Sequence, residues 1–115
     1  MAAIRKYDIW IADLNPQRGT EPGKKRPVVV IQTDFLNQTH LSTIICPVTT
    51  NVVRSSKILR IHIPKNTCGM PKDSDILIDQ VRAIDNTRFL RKAGTLTNTL
   101  RKQLNENLKI VLDLD

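Results

Sequence analysis

Aromatic side chains are scarce in this 115-residue chain, where Tyr7, Trp10, Phe35 and Phe89 are the only four. That scarcity argues against a nucleic-acid platform that stacks bases on rings, as RNA-recognition motifs and single-strand-binding OB-folds do. Long apolar runs are also missing, and none approaches the ~20 residues that span a bilayer, so no membrane role is expected. The N-terminal MAAIRKYDIW is interrupted by a charged pair and by Asp8, which does not fit a secretory signal. A cytoplasmic protein is therefore expected. Its two cysteines, Cys46 and Cys68, are too few for a disulfide framework and are expected to be reduced. Glycine is held to 4 residues and proline to 6, with 40% apolar residues, which excludes disorder and collagen.

Acidic residues are the other shortage: 11 against 18 Lys and Arg, a formal charge of +7. None lies between Phe35 and Lys72, a stretch that holds Arg54, Lys57, Arg60, Lys65 and Lys72. A second basic block, Arg82 to Lys102, sets six cations against Asp85 alone, and Lys24-Lys25-Arg26 forms a third. An anionic partner is implied, and nucleic acid is the obvious one. Phosphate contacts of this kind release counterions and make binding fall steeply with salt. The length suits one domain, residues 1–115, whose modest core would gain from oligomerisation.

The hydrophobic patterning predicts a mainly β protein. Tyr7–Leu14 reads as a strand, 15–25 as a loop broken by Pro16 and Gly19, and Pro27–Gln32 as a strand buried on both faces. A short helical turn is expected at Asp34–Gln38 and a strand at Ser42–Pro47. Lys57–Ile63 should alternate, with Leu59, Ile61 and Ile63 inward and Ile58, Arg60 and His62 outward. Pro64–Asp73 reads as a loop. Ser74–Gln80 reads as a strand continued past a bend at Arg82–Asp85, and Phe89–Thr95 as a further strand. Leu100, Leu104, Leu108, Val111 and Leu112 recur at helical spacing, which predicts an amphipathic helix over 97–112 with Thr97 as its cap. The sum is an antiparallel, barrel-like β domain closed by a C-terminal helix.

No metal site or cofactor motif is expected. Of Asp73, Asp75 and Asp79 only the last two would share a strand face, and no histidine adjoins them in sequence. The two cysteines lack ligand spacing, and neither a P-loop nor a Gly-x-Ser-x-Gly elbow is present. What remains is the stretch DLNPQRGTEPGKKRP at residues 13–27, which places Glu21 beside a run of cations ending at Arg26. A loop carboxylate there suits proton acceptance, and an arginine suits a bidentate fork to phosphate. A plain surface pair between the two residues is the alternative. Trp10 is expected in the core or at a dimer interface. His62 is expected at the surface beside Arg60, and His40 has no assigned role. Of Thr49 and Thr50, only one should face a common site.

Four blocks, in order and spanning nearly the whole chain, resemble MazF/PemK-type toxins of toxin–antitoxin systems. They are YDIWIADLNPQRGTEPGKKRPVVVIQ, IICPVTT, DSDILIDQVRAID and GTLTNTLRKQLNENLKIVL. The resemblance implies an SH3-like barrel of the plasmid-maintenance toxin type, a homodimer, and metal-independent, sequence-specific cleavage of single-stranded RNA. The family's catalytic roles fall on Arg26 and Thr49, and Glu21 matches an acidic residue implicated in some members. Gln80 sits in a block that borders the substrate groove. Lys24, Lys25, Arg54, Lys57, Arg60 and Arg82 are expected to contact RNA. The chain departs from the family in two places. Tyr7 stands where glycine commonly precedes the first Asp, and Pro22-Gly23-Lys24 replaces a common Gln-Gly-Gly. Pro22 is expected to alter the loop through its fixed dihedral and missing N–H.

The implied partner is a cognate antitoxin whose acidic, partly disordered tail would cover a basic groove. Two rival readings remain. One is a toxin of the same fold that poisons DNA gyrase without catalysis, and the other is a basic nucleic-acid-binding module without activity.

Overall fold

Three central strands have apolar residues on both faces, and that arrangement organises the protein. In the computed structural model, which describes residues 3–21 and 23–115, β1 (Asp8–Asp13) turns Ile9 to one side and Trp10 and Ala12 to the other. β2 (Lys25–Val30) opposes Val29 to Val28 and Val30, and β3 (Ser42–Thr49) opposes Cys46 and Val48 to Ile45. The two-faced burial expected for the second strand is thus observed, although that strand starts earlier and stops at Val30. The effect expected of Pro22 lies outside the described residues, as do Met1 and Ala2 of the N-terminal segment.

All pairings are antiparallel. The sheet runs β4 (Arg60–Ile63), β5 (Ser74–Leu77), β3, β2, β1, β7 (Phe89–Thr95), and β6 (Arg82–Asp85) joins it along β3. β3 gives one edge to β2 and divides the other, Ser42–Ile45 going to β6 and Val48–Thr49 to β5. That division explains a departure from the sequence reading. Ser74–Gln80 is not one strand, because the chain steps from one part of the β3 edge to the next through a 3₁₀ turn at Ile78–Gln80. The Ile78 N–H makes one last bond in the β4–β5 register, to the Leu59 carbonyl at 2.9 Å, before the turn. The strand expected from Lys57 begins only at Arg60, leaving Ile58 and Leu59 largely exposed, while Ile61 and Ile63 are buried as the alternation required. Among the described residues β4 and β7 do not pair with each other, so the barrel stays open between them.

Two cores result. On one face Ile9, Val29, Cys46, Ile61, Ile63 and Ile76 pack beneath α2 (Asn98–Val111), whose Leu100 and Leu104 are buried. α2 begins at the expected cap: Thr97 Oγ1 accepts from the Leu100 N–H at 3.3 Å. The stripe fades toward its end, where Leu112 is exposed. There Asn107 is buried instead, its amide donating to the carbonyls of Lys57 and Ile58. On the opposite face Trp10, Val28, Val30, Ile45, Ile84 and Phe89 form a smaller core. Its Trp10 and Phe89 rings meet edge to face at 5.7 Å, an arrangement worth about 0.5–1.5 kcal/mol beyond burial. The short helix α1 (Asp34–Asn37) carries Asp34, whose carboxylate accepts the Lys6 N–H at 2.7 Å and is held below the usual carboxylate range by that bond.

Both departures from the glycines of the resembling family sit at left-handed backbone: Tyr7 has φ +73° and Lys24 φ +67°. Glycine adopts this region without penalty, whereas other residues need local compensation. Tyr7 has it. Its hydroxyl accepts from the Asn105 amide at 2.8 Å, and Lys6 and Arg101 each stand 5.0 Å from its ring centre.

Candidate functional site

Strand alternation decides which residues can meet. Arg26 has the parity of Val28 and Val30, Thr49 that of Ile45, and Arg82 that of Ile84, so all three leave from the face of the Trp10 core. The β2–β3 register ends at Val28 opposite Pro47. Two residues further along, Arg26 stands across from Thr49, where the strands diverge. The gap between them is a cleft of about 290 Å3 lined by Lys24, Lys25, Arg26, Pro27, Thr49 and Thr50. Arg26, Thr49 and the lysine pair singled out from sequence are therefore brought together.

The side chains in this cleft are positioned by short bonds. Arg26 Nε donates to the Gly23 carbonyl at 2.8 Å. Among the described residues its two terminal nitrogens make no hydrogen bond or ion pair, so one side of the guanidinium fork is open to an anion. Thr49 Oγ1 accepts from the Asn51 N–H at 3.1 Å, which leaves its O–H free to donate. The preceding loop is laced at its base. Leu14 N–H reaches the Lys24 carbonyl, Lys24 N–H reaches Asn15 Oδ1 at 2.7 Å, and Arg88 donates to the carbonyls of Asp13 and Asn15. Gly23 has no room for a side chain, since a Cβ there would lie 2.6 Å from Gln17 Cβ. The Arg88 brace was not foreseen, because nothing in the sequence ties it to the 13–25 segment.

Glu21 does not pair with Arg26. Its Oε1 lies 3.8 Å from Arg82 Nη1, with both side chains partly exposed. It belongs to the loop between β1 and β2 and does not line the cleft. Gln80 is half-buried in the 3₁₀ turn two residues before Arg82 and does not line the cleft either.

Arg54, Lys57 and Arg60 gather elsewhere, at a second cleft of about 110 Å3 that also holds His62, Asp75 and Gln103. Asp75 is buried, and its Oδ2 accepts from the Val53 N–H at 2.9 Å and from Arg60 at 3.1 Å. Arg60 also donates to the Asn51 carbonyl at 2.7 Å. Arg54 bonds to Asp73 at 3.1 Å and to His62 Nε2 at 3.2 Å. A guanidinium has only donors, so Nε2 is the acceptor and the ring proton sits on Nδ1, which faces Asp75 Oδ1 at 3.4 Å. The Lys65 N–H and then the Arg54 guanidinium hold the Asp73 carboxyl below its usual range. The acid-free stretch thus finds counterions immediately past its end, and Arg54 and Arg60 are partly neutralised. Asp73 and Asp75 serve as their partners, with a histidine that sequence distance had hidden. Asp79 is exposed on the turn. Among the described residues no three His, Cys, Asp or Glu side chains cluster closely enough to hold a metal ion, and no helix is long and apolar enough to cross a membrane. Trp10 is in the core, as expected.

Residues 5–112 match the family described as PemK-like, MazF-like toxin of type II toxin–antitoxin systems. The endoribonuclease MazF of Staphylococcus saprophyticus subsp. saprophyticus is 33% identical over 111 residues, which is 96% of this chain and 92% of that protein. Among solved structures, MazF from Deinococcus radiodurans superposes with a TM-score of 0.84 at 19% identity, covering 99% of this chain and all of the other. A mycobacterial endoribonuclease in complex with its cognate antitoxin gives 0.77 at 13% identity, covering 100% and 98%. The seven-stranded sheet with its C-terminal helix is the fold of these toxins.

Proposed function

Because the chain belongs to the PemK-like, MazF-like toxin family of type II toxin–antitoxin systems, we propose that it is an endoribonuclease that cuts single-stranded RNA at a defined sequence without a metal ion. The observation that carries this reading is the convergence of Arg26, Thr49 and the Lys24-Lys25 pair on one cleft where β2 and β3 part.

RNA supplies its own nucleophile. A base takes the 2′-OH proton, the 2′ oxygen attacks the neighbouring phosphorus, and the 5′ oxygen leaves with a proton. The products are a 2′,3′-cyclic phosphate and a 5′-OH. Arg26 remains protonated and presents donors in a fixed fork, which suits the extra negative charge of the phosphorane. The Thr49 O–H donates to the same phosphate. Glu21 is the candidate base. The Arg82 guanidinium stands 3.8 Å from its Oε1, and a carboxylate is a suitable proton acceptor. Lys24, Lys25 and Arg82 position the RNA backbone near the cut. Gln80, Arg54, Lys57 and Arg60 extend the contact surface beyond it. The cytoplasm, where the RNA is, is its site of action. The active form is a homodimer, and a cognate antitoxin with an acidic tail neutralises it by occupying the basic cleft.

The test is cleavage of a single-stranded RNA in excess EDTA. Cutting should persist, and one 2′-deoxy substitution at the cut site should abolish it. Strict metal dependence, or cleavage of the deoxy substrate, overturns this mechanism.

A further inference from the structure

Immediately beside the Arg26 cleft, and sharing Pro27 and Thr50 with it, is a second pocket of about 240 Å3. It opens on the other face of the same strand ends, because Ile11 and Pro27 have the parity of Ile9 and Val29 rather than of Trp10 and Val28. Its walls are apolar: Ile11, Pro27, Met70 and Pro71. Lys72 and Arg91, both exposed, also line it, and among the described residues neither makes an ion pair.

This pocket is built rather than incidental. The 64–73 loop is pressed against β7 by two glycines. A Cβ on Gly69 would lie 2.0 Å from the Ala93 carbonyl oxygen, and one on Gly94 would lie 2.0 Å from that of Cys68. Gly69 also needs its φ of +80°. The loop is closed on itself by Asn66 N–H to the Met70 carbonyl at 2.7 Å and Met70 N–H to the Thr67 carbonyl at 2.9 Å. Met70 is buried as a result, and the pocket wall is fixed.

We propose that this pocket receives the base next to the scissile phosphate and selects one whose free edge offers hydrogen-bond acceptors, guanine or uracil. The proposal rests on the ribonuclease reading above. An RNA strand crossing the parted ends of β2 and β3 leaves its phosphate at Arg26 and Thr49 on one face and turns a base over the edge into the other. Flat apolar walls from Pro27, Ile11 and Met70 take the base faces in place of aromatic rings, which this chain hardly has. The strong polar groups, Lys72 and Arg91, are donors only. Among the described residues no carboxylate or side-chain amide lines the pocket to accept from the exocyclic amine of adenine or cytosine. The Ser74 O–H donates to the Lys72 carbonyl at 2.9 Å, so its oxygen, like that of Thr50, can accept, but only as a neutral partner weaker than the two cations. Charged donors reading the keto oxygens of guanine or uracil form the stronger class of hydrogen bond.

The experiment measures cleavage of RNA oligonucleotides that differ by one base at each position around the cut. The wild-type protein should favour guanine and uracil over adenine and cytosine by about tenfold or more at one position adjoining the cut. The Lys72→Ala/Arg91→Ala double variant should lose most of that preference while keeping preferences at other positions. Both side chains are exposed, and circular dichroism and thermal melting matching wild type establish that the variant is folded. A uniform loss of rate on every oligonucleotide, with the base preference intact, makes the two cations phosphate contacts and overturns the proposal. So does a wild-type preference for adenine or cytosine, or for none, at both adjoining positions. A wild-type protein that cuts no RNA overturns the ribonuclease reading as well, and that failure is visible without the variant.

Discussion

Glu21 and Arg82 meet at 3.8 Å across the space between the β1–β2 loop and β6. The contact is loose and partly exposed, so it adds little to stability, at most about 1 kcal/mol. Its consequence is chemical, because it keeps a cation beside the candidate base. Glu21→Gln should slow single-turnover RNA cleavage by about 10²–10⁴-fold. Arg82→Ala, which keeps the carboxylate, should cost less. Wild-type rates in the glutamine variant would remove Glu21 from the proton transfer.

Arg26 is tethered through Nε to the Gly23 carbonyl and keeps its outer nitrogens open. Arg26→Ala should lower the cleavage rate by at least ~10²–10³-fold with an unchanged melting profile. Arg26→Lys should restore little, since a lysine cannot keep the backbone tether and offer a planar fork together. Full rescue by lysine would reduce the requirement to charge alone.

Asp75 is buried and accepts from the Val53 N–H and from Arg60. Asp75→Ala leaves both donors without their acceptor and should destabilise the protein on the order of 3 kcal/mol in urea unfolding. The 51–60 segment should then lose protection in hydrogen exchange before the β1–β2–β3 core does.

Burial, with the Asp79 carboxylate adding to it, pushes the Cys46 thiol from 9.0 up to about 12. The folded thiol therefore stays protonated where the unfolded one ionises. Stability from this group is complete below about pH 9 and is lost as pH rises from there toward 12. Cys46→Ala should remove that part of the alkaline slope in urea midpoints. At neutral pH a thiol reagent should modify the partly exposed Cys68 in the folded protein and reach Cys46 only on unfolding.

Tyr7 has left-handed backbone, φ +73°. Tyr7→Ala keeps that strain and loses the ring, whereas Tyr7→Gly loses the ring and relieves the strain. The glycine variant should be the more stable of the two by about 0.5–1 kcal/mol in thermal or urea melts. The opposite order would mean that the φ of residue 7 costs nothing here.

The sequence by itself determined the elements whose signals are local. The β-branched, two-faced strands at Asp8–Asp13 and Lys25–Val30, and helical spacing from Leu100 with Thr97 as cap, follow from residue type and from side-chain direction along a strand or helix. Residues near one another in the chain, such as Lys24, Lys25 and Arg26, could likewise be read as one group. Only the tertiary structure decided which distant residues share a face. It gave Glu21 to Arg82 rather than Arg26, and it brought Thr49 across from Arg26 by register. It matched Arg54 and Arg60 with Asp73 and Asp75, and it stepped Ile78–Gln80 out of the strand. It also set Gly69 against Ala93 to build a pocket beside the cleft. The physical reason is the same in each case. Charge and hydrogen-bonding capacity are written in residue type, but their partners are fixed by strand register and by close backbone approach, and both depend on the packing of the whole chain.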